Sequence, residues 1–201
     1  MKLIGITGGI GAGKTQVLSY IEHNCRCRIL LADEAAHRVK EPGGPCYRAL
    51  VSLLGTEVLQ KDGFFDRKKM AAAIFTKKGL LEKTNEIIHP AVKDYILAEI
   101  EKERAAGKVD AFFVEAALLI EEGYGEILDE LWYIYADAKV RRQRLMASRG
   151  YAKEKVEKIF ESQLSEAEFR RHCKVVIDNG GSLSDTYMQI DERLKEAGLK
   201  R

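Results

Sequence analysis

The octet Gly8-Gly9-Ile10-Gly11-Ala12-Gly13-Lys14-Thr15 constrains this chain more than any other stretch. It follows the β-branched and aliphatic run from Lys2 to Thr7 without a gap. The order strand, Gly, four free positions, Gly, Lys, Ser or Thr, helix is that of a phosphate loop. Glycines let the loop amides converge on a polyphosphate and let the anion approach the backbone. A helix beginning near Lys14 adds the positive end of its dipole. On this pattern Gly9, Gly11, Ala12, Gly13, Lys14, Thr15 and Gln16 bind the nucleotide, with Lys14 spanning the β- and γ-phosphates and the Thr15 hydroxyl ligating Mg²⁺. The rival dinucleotide fingerprint fails on spacing, because its third glycine would fall on Lys14 or on Gln16.

A chain of 201 residues is long enough for one α/β domain with a substantial core, or for a core carrying an inserted subdomain. The formal charge of +2 gives no global pull toward nucleic acid or an acidic membrane surface, and neither partner is expected. Cys25, Cys27, Cys46 and Cys173 read as reduced cytosolic thiols, since a lone Cys-x-Cys is a poor zinc site. Lys2 to Thr7 is too short for a secretory core, and no apolar run approaches the roughly twenty residues needed to cross a bilayer. The expected compartment is the cytoplasm, and the expected assembly a monomer or small homo-oligomer.

In chain order, Gln16 to Glu22 has helical spacing and Arg28 to Ala32 reads as a second strand. Asp33 stands where that strand stops and a helix from Glu34 to Lys40 begins. Ligands of open parallel sheets collect outside the carboxyl ends of the strands, so Asp33 is a candidate general base or outer-sphere Mg²⁺ ligand; it is equally a candidate N-cap, and the two readings are compatible. After the loop Pro42-Gly43-Gly44-Pro45, helical spacing recurs in Tyr47 to Leu54, Arg67 to Phe75, Leu80 to Ile88 and Ala91 to Arg104, with turn signals at Gly55, Asp62-Gly63, Gly79 and His89-Pro90. These segments form a helical insertion between strands. His89 is either a ligand contact or a cap and packing group, and Asp66 suits an N-cap.

Ala111 to Glu115 is a third strand, whose terminal Glu115 either helps hold Mg²⁺ through water or faces solvent. A short helix is expected at Leu118 to Ile120. Leu131 to Ala136 is a fourth strand and Lys139 to Met146 a helix after it. Arg141, Arg142, Arg144 and Arg149 there are either a solvated face or the arginines of a lid, with Arg141 and Arg144 on one face and Arg142 on another. Helices at Ala152 to Gln163 and Glu166 to Lys174 follow, the second opened by a Ser165/Glu168 capping box. A fifth strand at Val175 to Ile177, a turn at Asp178 to Gly181 and a helix at Leu183 to Ala197 close the chain. No Asn-Lys-x-Asp guanine motif is present, which favours ATP over GTP and argues against a GTPase switch.

Strands alternating with helices, one phosphate loop and a helical insertion describe a small-molecule kinase of the nucleoside-monophosphate-kinase type. A narrower resemblance lies in TGGIGAGK (Thr7 to Lys14), Ala32-Asp33, Glu41-Pro42-Gly43, Asp62-Gly63 with Asp66-Arg67 and Ile74-Phe75, NEIIHP (Asn85 to Pro90), LLIE (Leu118 to Glu121) and VIDNG (Val176 to Gly180). In order and spacing, over essentially the whole chain, this resembles the dephospho-CoA kinases. The resemblance implies a three-layer α/β phosphate-loop kinase fold with a five-stranded parallel sheet, a helical acceptor-binding insertion and a helical lid. It implies a nucleotide-binding core at 1–40, 107–136 and 174–201, an insertion at 41–106 and a lid region at 137–173. It also implies ATP and Mg²⁺ as cofactors and dephospho-CoA as acceptor, phosphorylated on its ribose 3′-hydroxyl in the last step of coenzyme A synthesis. Asp33 is then the base, Lys14 and Arg144 complete the catalytic set, Asn179 and Gly180 lie by the adenine, and Asp33, Arg67, His89 and Leu118 contact the acceptor. The chain departs from the family pattern at Leu31, where an acid is usual, at Ala117, where a proline is common, and at Ser148, where the second lid arginine is expected; Arg149, one position on, is the candidate substitute. The wider alternative is another phosphate-loop kinase acting on a nucleoside monophosphate or small metabolite.

Overall fold

The computed structural model describes residues 1–76 and 79–200. The chain forms two compact units, one of residues 1–29 and 103–201 and the other of residues 30–102. A five-stranded sheet has the order β2-β3-β1-β4-β5, where β1 is Lys2–Thr7, β2 Cys27–Leu31, β3 Ala111–Glu115, β4 Glu130–Tyr135 and β5 Val175–Asp178. β1 runs parallel to β3 and β4, and β4 parallel to β5. Parallel strands are covered on both faces, which is why β1 and β3 are continuous apolar runs rather than alternating ones.

In the first unit, Ile4, Ile6, Phe112, Phe113, Trp132 and Ile134 are wholly buried. The Trp132 ring meets Phe113 edge-on at 6.0 Å, and its indole N–H donates to Glu130 Oε2 at 2.8 Å, so this large side chain buries no unmatched donor. Helix α1, Lys14–Asn24, buries Val17, Leu18 and Ile21. The last helix, Leu183–Glu196, buries Thr186, Ile190 and Leu194, at spacings of four. The rings of Tyr20 and Tyr187 stack with centroids 3.9 Å apart.

The second unit holds α2 (Ala32–Arg38), α3 (Tyr47–Leu54), α4 (Arg67–Thr76) and most of α5 (Leu80–Ala106). Asp66 accepts from the amides of Lys68 and Lys69 at 2.8 and 3.0 Å, the cap expected for α4.

Three local expectations are corrected. The turn at His89-Pro90 is absent, because one helix of 27 residues runs through it. An interior proline costs a helix about 3 kcal/mol; Thr84, Val92, Ile96 and Ile100 form one buried stripe across Pro90, and burying that stripe offsets the lost bond. The helix expected at Leu118 to Ile120 is a run of turns. There Leu119 is driven into the core, the Tyr124 amide donates to the Leu119 carbonyl, and Gly123 at φ 69° prevents helical continuation. Asp33 is not an N-cap: α2 starts at Ala32 with Leu31 in the cap position, and Asp33 lies exposed in the first turn. Among the described residues, no helix is long and apolar enough to cross a membrane.

Candidate active site

The sheet register brings the ends of β1 and β3 level, while β4 runs on past them to Tyr135. Ile6 in β1 pairs with Glu115 in β3 and Trp132 in β4, so the loop leaving β1 emerges beside Glu115. The Lys14 ammonium folds back over this loop, donating to the Gly8 carbonyl at 2.7 Å, with Glu115 Oε1 at 3.5 Å. Thr15 and Gln16 are exposed in the first turn of α1, and the Gln16 amide donates to the Tyr187 hydroxyl at 2.6 Å.

Gly13, the residue before α1, has φ 89°, a left-handed conformation that few side chains tolerate. A Cβ there would also collide with the side-chain amide of Asn179. That amide donates to the Ala12 carbonyl at 2.7 Å, while the Asn179 carbonyl accepts from Arg144 Nη2 at 2.8 Å. Asn179 is buried, and its remaining acceptor is matched by the Thr186 hydroxyl at 3.1 Å. Next to it, the Gly180 amide donates to Asp178 Oδ1 at 2.7 Å, closing the turn after β5. Ala12, Gly13, Arg144, Asn179 and Gly180 are thus brought together at the carboxyl ends of the strands.

Arg144 belongs to α6, Ala138–Arg149, which starts at Asp137 with a side-chain cap to the Lys139 amide at 2.7 Å. Its arginines divide by face, as their spacing requires. Arg142 turns toward α7 (Lys153–Glu161) and pairs with Glu157 at 2.6 Å. Arg149 is exposed at the end of the helix, and Ser148 donates to the Arg144 carbonyl at 2.6 Å. Arg141 lies on the loop side. Its guanidinium occupies the space where a side chain at Gly9 would begin, stacks 4.3 Å over the Phe160 ring, and donates to Gln163 Oε1 at 3.3 Å. The same Gln163 oxygen accepts from the Ile10 amide at 3.2 Å. Burial pushes the Arg141 guanidinium down, with nearby tyrosine and carboxylate groups pulling the other way. Gln163 was absent from the expected site, and Arg141 was named only among the candidate lid arginines. The three-residue step from Arg144 was the available signal for Arg141; Gln163 had none. The capping box of Ser165 and Glu168 opens α8 (Glu166–His172), immediately after Gln163.

A cavity of about 490 Å³ lies within the second unit. Asp33, His37, Lys40 and Arg67 line it together with apolar side chains including Ile74 and Phe75. Burial, and secondly the Arg67 charge, push the Lys40 ammonium down against the opposing pull of Asp33. His89 is half-buried midway along α5 and is not among the lining residues, and Leu118 is exposed in the turns after β3.

A phosphate loop at the carboxyl end of the central strand of a parallel sheet, capped by a helix that turns two arginines onto it, defines a phosphate-loop kinase. Residues 2–185 match the family model described as dephospho-CoA kinase. The chain is 32% identical to the dephospho-CoA kinase of Symbiobacterium thermophilum, over 98% of this chain and 82% of that one. It is equally 32% identical to that of Streptococcus pyogenes serotype M3, over 96% of each. The structure of TT1252 from Thermus thermophilus superposes with a TM-score of 0.80 at 28% identity, covering 97% of both chains. The chain belongs to the dephospho-CoA kinase family.

Proposed function

We propose that the protein transfers the γ-phosphoryl group of ATP to the ribose 3′-hydroxyl of dephospho-CoA, giving coenzyme A and ADP. The observation that carries this reading is the phosphate loop under Lys14 and Arg144 in a chain whose relatives at 32% identity are named dephospho-CoA kinases. The hydroxyl oxygen attacks the γ-phosphorus, the bond to the β-phosphate oxygen breaks, and the hydroxyl proton passes to the Asp33 carboxylate. Loop amides from Gly9 to Gln16 hold the donor phosphates. Lys14 leaves the Gly8 carbonyl for the β- and γ-phosphates, and Arg144, with Arg149 from the helix end, neutralises charge on the moving group. The Thr15 hydroxyl and the Glu115 carboxylate are hard oxygen donors of the type Mg²⁺ takes, and they would hold it, Glu115 through water. Mg²⁺ supplies charge neutralisation at the phosphates when bound. Asn179 and Gly180 border the adenine; Arg67, His89 and Leu118 contact the acceptor.

In this reading residues 1–40, 107–136 and 174–201 bind nucleotide, 41–106 the acceptor, and 137–173 form the lid. The working compartment is the cytoplasm, as a monomer or small homo-oligomer. The test is ADP release with dephospho-CoA against AMP, CMP, shikimate and gluconate. Dephospho-CoA should be turned over well above the others, and folded protein that leaves it unphosphorylated would overturn the proposal.

A further inference from the structure

The cavity of the second unit carries a feature that the phosphate loop does not explain. Lys40 is half-buried and lines the cavity beside Arg67. Among the described residues neither side chain has a hydrogen-bonded or ion-paired partner. Asp33 and Glu41 line the cavity too, but Glu41 pairs with Arg38 and Asp33 only partly offsets the effect of burial and of Arg67 on Lys40, so the two cations, one of them partly out of water, still destabilise each other. An arrangement of this kind becomes favourable when an anion enters, because charge-assisted hydrogen bonds then replace both the repulsion and the lost hydration.

The placement of Lys40 narrows which anion. Asp33, His37 and Lys40 recur at the spacing of one helical face along α2 and the turn after it, and all three line the cavity. At a rise of about 1.5 Å per residue, Lys40 stands roughly 10 Å along the axis from Asp33. A nucleotide whose ribose hydroxyl meets Asp33 carries its 5′-linked phosphates within that span. Ile74, Phe75 and Leu81 give the cavity an uncharged wall, which accepts the neutral arm beyond a diphosphate but offers a second anion nothing.

We infer that Lys40, with Arg67 beside it, binds the 5′-diphosphate of the acceptor and so orients the ribose toward Asp33. This rests on the reading of dephospho-CoA as acceptor. A lone phosphate group would engage the pair too, but only a ligand that joins a diphosphate to a ribose hydroxyl and a neutral arm uses the whole cavity.

The experiment compares the wild type, Lys40→Met and Lys40→Arg in steady-state kinetics at varied dephospho-CoA and varied ATP, with thermal unfolding of each. Wild-type turnover of dephospho-CoA is read first; its absence overturns the acceptor assignment, and this inference with it. Given turnover, Lys40→Met should raise KM for dephospho-CoA tenfold or more while KM for ATP moves less than twofold, and Lys40→Arg should recover most of the loss. Lys40→Met should unfold at the wild-type temperature or above, because it removes a half-buried cation from beside Arg67. A KM for dephospho-CoA within twofold of wild type, an equal rise in both KM values, or no recovery in Lys40→Arg would overturn the role of Lys40 and leave the acceptor assignment standing.

Discussion

The Asn179 side-chain amide donates to the Ala12 carbonyl at 2.7 Å, tying the turn after the last strand to the phosphate loop across 167 residues of sequence. Arg144 reinforces the tie by donating to the Asn179 carbonyl. Asn179→Ala removes the donor and leaves a loop carbonyl poorly matched, which costs about 1–3 kcal/mol. A fall of several degrees in Tm is expected, together with a larger rise in KM for ATP than for dephospho-CoA. Equal effects on the two substrates would detach Asn179 from the nucleotide side.

Gly13 and Gly9 face different neighbours, and alanine should separate them. At Gly13 the left-handed backbone alone penalises a Cβ by about 1–2 kcal/mol, and the Asn179 amide is in its way. At Gly9 the obstacle is the end of the Arg141 side chain, which can swing aside. Chemical denaturation should find Gly13→Ala less stable than Gly9→Ala by at least about 1 kcal/mol, with ATP binding lost in Gly13→Ala.

Asp33→Asn keeps the size of the side chain and removes its basicity. Turnover of dephospho-CoA should fall by roughly 10²–10⁴-fold, while the Kd for ATP, measured by titration calorimetry, stays within about twofold, because Asp33 has no part in holding the donor phosphates. Undiminished turnover would remove Asp33 from the proton path.

The fold should weaken at alkaline pH. Burial pushes the Cys173 thiol up to about 11 and the Tyr133 hydroxyl up to about 12, and the two sit in one buried cluster where Tyr133 stacks on Phe169 at 4.6 Å. Both groups are neutral when protonated, and folding raises their pKa above the unfolded values near 9 and 10. Their contribution is therefore fully present below about pH 8.5 and is lost as pH climbs through 11 to 12. Tyr133→Phe should flatten this alkaline limb in denaturant titrations at pH 8 to 11.

The phosphate loop and the five strands were legible because each rests on local chemistry: glycine at φ 81° and 89° in the loop, and short runs of β-branched and aromatic residues in the sheet. The Ser165/Glu168 box was readable for the same reason. Pro90 misled because its intrinsic cost is local, whereas the stripe from Thr84 to Ile100 that overrides it is tertiary. Leu118 to Ile120 misled because three apolar residues suit a turn packed on the core as well as a helix. Gln163 was invisible since its value lies in long-range bonds, from Ile10, 153 residues away, and from Arg141. Asp33 was legible as a position, but its place in the first turn of α2, rather than ahead of it, depended on where the helix began.

Trp132 is the chain's only tryptophan, wholly buried on β4 against Phe113. The chain therefore carries a built-in optical probe placed in the first unit: its emission follows the opening of the sheet core around β4. Melting followed by tryptophan fluorescence and by far-ultraviolet dichroism, which the helices of the second unit help set, would diverge if those helices loosen before the sheet. Adding dephospho-CoA should draw the two curves together.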